Sequence, residues 1–174
     1  SLIEALEGVD SLWHNQNEDD TNVIFGERFT LLAGAPRIHE TVGGLRFSLG
    51  PQSFLQVNPS QTALLYDRAI ALLAPKKTEI LIDAYCGIGT ISLMLAKRAM
   101  KVIGIEQVAA AIEDARENAK QNGIENAEFH TGAVEDLLPK LLETESVSAL
   151  VLDPPRKGCG EAALNAIGKS RIQR

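Results

Sequence analysis

The residues best suited to chemistry fall in three short stretches. In LIDAYCGIGTISLMLA, residues 81–96, Asp83 precedes Gly87 and Gly89, two glycines one residue apart between apolar runs. In KVIGIE the apolar run ends at Glu106, 23 residues after Asp83. In LVLDPPRKG, residues 150–158, an apolar run stops at Asp153 and two prolines. Each pattern reads as a buried strand that delivers a polar group at its carboxyl end, where open α/β sheets bind their ligands.

A G-x-G turn alone is a weak signal, because a tight strand-to-helix turn needs no ligand. Glu106 adds specificity, since a carboxylate at the end of the next strand can accept both hydroxyls of a ribose. Its competing role is an acid that caps the following helix. Loop and acid together favour a nucleoside. The third glycine of the dinucleotide fingerprint is replaced by Ser92, and no P-loop lysine follows. With Asp83 and Glu106 negative and no Lys or Arg in the glycine loop, a pyrophosphate is poorly matched. A cofactor with a positive centre suits the acids. S-adenosylmethionine carries an adenosine, a sulfonium and no phosphate, so the pattern predicts a methyltransferase core. Two alternatives stay open. A nicotinamide-dependent oxidoreductase on the same topology calls for a third glycine and phosphate-facing donors. A protein that holds S-adenosylmethionine without turnover calls for nothing more. At Asp153 the prolines stop the strand, fix the backbone and leave carbonyls free to hold a flat base by hydrogen bonds. The simpler alternative there is a rigid turn before a helix.

The elements that position these residues follow from periodicity. From Pro59 onward apolar strands alternate with helices: a helix over PSQTALLYDRAIALLA, then strand EILIDAY, helix TISLMLAKRA, strand KVIGIE, helix VAAAIEDARENAKQNG, strand AEFHTG, helix VEDLLPKLLE, strand VSALVLDPP and a last helix EAALNAI. In the first helix Ala63, Leu64, Tyr66, Ile70 and Leu73 are expected near one face. Gly123 is expected to end the helix before AEFHTG. This order predicts a parallel Rossmann-like sheet with helices on both faces. Residues 1–50 read differently. SLIEALEGVD resembles a helix end, SLWHNQN a strand, and the Gly43-Gly44 pair between HETV and LRFSL a hairpin turn. The expected division is a small β-rich segment, residues 1–50, belonging to a central domain, and a methyltransferase domain over 51–174.

Composition narrows the class. With 45% hydrophobic and 23% charged residues the 174-residue chain can build one real core. No apolar run is long enough to span a bilayer and no signal peptide is evident, so no membrane partner and a cytoplasmic location are expected. Two cysteines make no disulfide framework or metal site. The net charge of −6 opposes a freestanding nucleic-acid-binding module, though not a catalytic piece whose grip on nucleic acid lies elsewhere.

Four stretches in order, SFLQVNPSQ (53–61), DAYCGIGTISL (83–93), GIE (104–106) and DPPRKGC (153–159), closely resemble the bacterial RNA uracil-5-methyltransferases, which make 5-methyluridine in ribosomal or transfer RNA. The resemblance runs from about Arg37 onward. It implies cofactor contacts from Gln56, Tyr85, Gly87, Glu106 and Asp153, an RNA substrate with 23S ribosomal RNA first in line, and a monomer. SFLQVNP would lie over the strand ends as a lid held by Phe54 and Val57. A further polar contact common after the third strand falls on Ala133 and is not assigned. The family chemistry needs a cysteine that adds at C6 of uracil, in a motif like S-C-N-P, and a glutamate base after it. Both are expected beyond Arg174. Cys86, in the cofactor loop, and Cys159, though near Arg156 and Lys157, are not expected to substitute. The resemblance therefore marks the chain as part of a longer protein, inactive by itself. An N-terminal RNA-binding barrel, and any iron–sulfur cluster, would belong to a region before these residues.

Overall fold

The computed structural model describes residues 8–18, 25–26, 28–56, 58–172 and 174. The helix end expected at the start falls mostly on residues 1–7, outside them. Two antiparallel pairs come first. β1 (Ser11–Gln16) pairs with β2 (Arg28–Gly34), and β3 (Ile38–Val42) with β4 (Leu45–Leu49). Gly43 and Gly44 form the expected turn, at φ 58° and 70°. Two consecutive left-handed residues let a two-residue turn match the twist of its strands.

α1 (Pro59–Leu73) opens with Asn58, whose side chain accepts from the Gln61 amide at 3.2 Å. Its inner face is Thr62, Tyr66, Ile70 and Leu73, spaced four, four and three apart. Leu64, expected on that face, is 63% exposed instead. It lies two residues from both Thr62 and Tyr66, which turns it to the other side of the helix.

There follow β5 (Ile80–Ala84), α2 (Thr90–Ala96), β6 (Lys101–Glu106), α3 (Ala109–Gln121), β7 (Ala127–Thr131), α4 (Val134–Thr144), β8 (Val147–Leu152) and α5 (Glu161–Lys169). The four later strands make one parallel sheet in the order β7-β6-β5-β8. Strand residues alternate between its faces. Leu81, Val102 and Ala149 bury with Ile70, Leu95 and Ile112 of α1, α2 and α3. Ile82, Ala84, Ile103 and Ile105 bury with Leu138 of α4 and Ala163 of α5. Helices thus cover both faces, as the alternation predicts. The β3–β4 hairpin adds Val42, Leu45, Phe47 and Leu49 to the first of these layers.

From β5 the chain steps outward to β6 and β7, then returns to β8 on the other side of β5. The loops after β5 and β8 therefore diverge from a point where the winding direction reverses, and such a point opens a crevice at the strand ends. Among the described residues, no helix is long and apolar enough to cross a membrane.

Candidate functional site

Three carboxyl groups meet at that crevice. In register, Asp83 of β5 lies beside Gly104 of β6 and Val151 of β8, so Glu106 and Asp153 arrive two residues further along on either side. The Asp153 amide donates to the Ala84 carbonyl at 3.4 Å, which carries the β8 backbone one step past its strand. Asp83 is only 1% exposed. Its Oδ2 accepts the Ser92 hydroxyl at 2.6 Å, and its Oδ1 is buried with no hydrogen-bond partner. Burial pushes the Asp83 carboxyl up to about 7; two hydrogen bonds from Ser92 oppose the shift, and the charges of Asp153 and Glu106 add to it. Ser92, where a dinucleotide fingerprint has its third glycine, is the donor that holds this acid.

Glu106 spans two loops. Its Oε2 accepts the Gly87 amide at 3.2 Å and its Oε1 the Val108 amide at 2.9 Å. The second bond sits just ahead of α3, so part of the helix-capping alternative is realised, although no side chain caps the first turn of α3 itself. Each oxygen keeps a further lone pair for a ligand hydroxyl. The glycine loop closes through the Gly89 amide to the Cys86 carbonyl at 2.9 Å. Gly89, at φ 82°, admits no side chain, because a Cβ there would stand 3.0 Å from the Phe129 ring and 3.2 Å from Ala115 Cβ.

Tyr85 also holds a left-handed backbone, at φ 66°. Its phenol leans towards α4 and α5 and donates to Glu135 Oε1 at 3.0 Å. Burial first, then Glu135 and Cys159, raises the phenol above its ordinary range. Gln56 lies half-buried between β4 and α1, against Tyr66. The Tyr66 phenol is pushed up by burial and by the charges of Asp153 and Asp83, and pulled back by a hydrogen bond from Gln56. Tyr66 thus lies beside Gln56 and within the field of the two acids. The lid expected to be held by Phe54 and Val57 is not built that way. Phe54 is 71% exposed, Val57 lies outside the described residues, and Leu55 packs against the core instead. Upstream, Asp114 of α3 fixes the turn that leads into this segment by accepting from Arg37, Ser53 and, at 3.4 Å, the Gly50 amide.

Cys86 is buried, and burial followed by the charges of Asp83 and Glu106 drives its thiol well above the usual range. Cys159 is half-buried against the Tyr85 hydroxyl. Three site residues escape sequence reasoning: Tyr66, Ser92 and Glu135. Only Ser92 carried a signal, as the odd residue in a glycine pattern. A crevice with three acids and no Lys or Arg in its glycine loop is suited to a ligand with positive charge and hydroxyls.

The comparisons agree with that class. The model of a methyltransferase domain family matches residues 75–169, and the chain belongs to that family. Its fold is the Rossmann-like methyltransferase fold. The chain is 44% identical over 169 residues to an uncharacterized RNA methyltransferase of Clostridium tetani, covering 97% of this chain and 37% of that protein. It is 48% identical over 160 residues to an uncharacterized RNA methyltransferase of Bacillus cereus, covering 91% of this chain and 35% of that protein. The chain therefore spans little more than a third of these relatives. Among solved structures it resembles the Pyrococcus abyssi tRNA (uracil-54, C5)-methyltransferase in complex with S-adenosyl-L-homocysteine, at TM-score 0.70 and 29% identity, covering 93% of this chain and 39% of that one.

Proposed function

We propose that these residues are the cofactor-binding part of an RNA methyltransferase that uses S-adenosylmethionine to methylate C5 of a uridine, with 23S ribosomal RNA as its substrate. The observation that carries the proposal is the trio Asp83, Glu106 and Asp153 at the switch point, with the buried Asp83 Oδ1 unpartnered. The likeness to the tRNA (uracil-54, C5) enzyme and to relatives named as RNA methyltransferases supports the choice of RNA and of uracil. In this reading the protein acts in the cytoplasm as a monomer.

When bound, S-adenosylmethionine supplies an activated methyl on a sulfonium. Glu106 would accept the two ribose hydroxyls, with its carboxylate held in place by the Gly87 amide. Asp153 supplies negative potential for the positive centre, and Asp83 adds to it as it ionises near pH 7. Gln56 and Tyr66 close the crevice from the side of α1, and Tyr85 borders it from the side of α4. The carbonyls of Asp153 and Pro154 hold the uracil, the Pro155 carbonyl being taken by the Gly158 amide at 2.8 Å. C5 of uracil becomes nucleophilic once a thiolate has added at C6; it would then take the methyl, with a neutral thioether leaving, and loss of the C5 proton to a base would expel the thiolate from C6 and restore the ring double bond. Cys86 is too deeply buried for that addition, and the thiol of Cys159 faces Tyr85. The thiolate is therefore assigned to neither Cys86 nor Cys159.

RNA labelled with tritium at C5 of uridine tests the proposal in the full-length protein. The expected result is one tritium released to water for each methyl incorporated, abolished by Asp153→Ala. Methyl incorporation without tritium release would place the reaction on another atom and reject the uracil-C5 assignment.

A further inference from the structure

Three loops at the carboxyl edge of the sheet meet on one carboxylate. The Tyr85 hydroxyl and the Gly160 amide both donate to Glu135 Oε1, at 3.0 and 3.1 Å. Tyr85 belongs to the glycine loop after β5, Glu135 stands in the first turn of α4, and Gly160 ends the loop that carries Asp153 away from β8. Glu135 is held below the usual carboxylate range by backbone hydrogen bonds, from its own amide first and then from Gly160. It is therefore a charged acceptor at neutral pH.

Two features mark the contact as built. Tyr85 keeps a left-handed backbone at φ 66°, which a bulky residue adopts only where its surroundings hold it there. Its phenol bond to Glu135 is one such hold. Gly160, at φ −70°, has a backbone that any residue could adopt. A Cβ there would come within 2.7 Å of Glu135 Cγ and 2.9 Å of Oε1, so the position is small in order to admit Glu135.

We propose that Glu135 is a positioning residue for the cofactor crevice: its carboxylate ties the loop bearing Asp153 to the glycine loop bearing Tyr85 and so fixes the gap between them. The inference rests on the cofactor reading above. Glu135 acts through its two partners and itself touches neither cofactor nor uracil.

Calorimetric titration with S-adenosylhomocysteine tests it in wild type, E135Q, E135A, G160A and E135A/G160A, each first shown to be folded by its thermal transition. E135Q should bind within about twofold of wild type, because an amide oxygen accepts the same two hydrogen bonds. E135A and G160A should each bind about tenfold or more weakly, as expected for loss of bonds to a charged acceptor. The double variant should bind no more weakly than E135A, since the added methyl then has nothing to strike. Should E135A fail to fold, the pair E135Q and G160A carries the test, with binding kept in the first and weakened about tenfold in the second. Equal binding by E135A and wild type, loss in E135Q as deep as in E135A, or additive losses in the double variant would each overturn the inference while leaving the cofactor reading intact. A wild-type chain that takes up no S-adenosylhomocysteine would overturn both.

Discussion

Asp83 shows how a residue's environment, more than its type, sets its chemistry. Buried beside two other acids, it has a folded pKa of about 7 against an ordinary 3.8. The folded state therefore keeps a proton that the unfolded chain has given up between roughly pH 4 and pH 7. Over that window its contribution to stability falls as pH rises, by about 1.4 kcal/mol per unit. Below the window both states are protonated, and above it both are ionised. Urea unfolding at pH 5 and pH 7 should show this component in wild type and lose it in Asp83→Asn; the same pH dependence in both would refute the assignment. Glu106 and Asp153 were legible in the sequence, because an apolar run that stops at an acid points to a strand end. Tyr66 and Glu135 were not. Each is an ordinary member of its own helix, and its role comes from partners far away in sequence, such as Tyr85, 50 positions from Glu135.

At the scale of elements, the β3–β4 hairpin is stitched into the sheet domain by the carboxyl-terminal part of α3, where Gln121 and the capping Asn122 bond Arg46 at the surface and Asn118 bonds Ser48 in the core. Asn118 is fully buried. Its Oδ1 accepts the Ser48 amide at 2.8 Å, and its Nδ2 donates to the Ile88 carbonyl of the glycine loop at 3.3 Å. Asn118→Ala should cost about 1–3 kcal/mol, because it leaves the Ser48 amide buried without an acceptor. Phe47, at 0% exposure, makes the apolar side of the same junction. Phe47→Ala should cost about 3–5 kcal/mol. Chemical denaturation measures both, and a loss below about 0.5 kcal/mol in either, the usual range for surface substitutions, would mean that the hairpin is not part of the core. The strands and helices from β5 to α5 were legible to within a few residues, because hydrophobic period and length agree there. The face of α1 was less so. Leu64 and Tyr66 are both apolar in bulk, and only burial distinguishes the exposed leucine from the buried tyrosine. The docking of the hairpin left no local trace, since Asn118 and Ser48 are 70 positions apart.

At the scale of the whole molecule, the winding of the sheet and the charge of the crevice are one design. The reversal between β5 and β8 opens the crevice, and under the proposed function the acids at its strand ends favour a ligand that is cationic rather than phosphorylated. The net charge of −6 opposes an RNA backbone, so these 174 residues alone should show weak RNA affinity and no methyl transfer from S-adenosylmethionine to unmodified ribosomal or transfer RNA. Turnover abolished by Cys159→Ser or Cys86→Ser would contradict that expectation. The central claim, that the crevice is a site for S-adenosylmethionine read through Glu106, is tested most directly by calorimetry. The chain should bind S-adenosylhomocysteine and not NADH, and Glu106→Ala should weaken binding by roughly 1.5–3 kcal/mol, the value of hydrogen bonds to a charged acceptor. Equal affinity in wild type and Glu106→Ala, or preference for NADH, would contradict it.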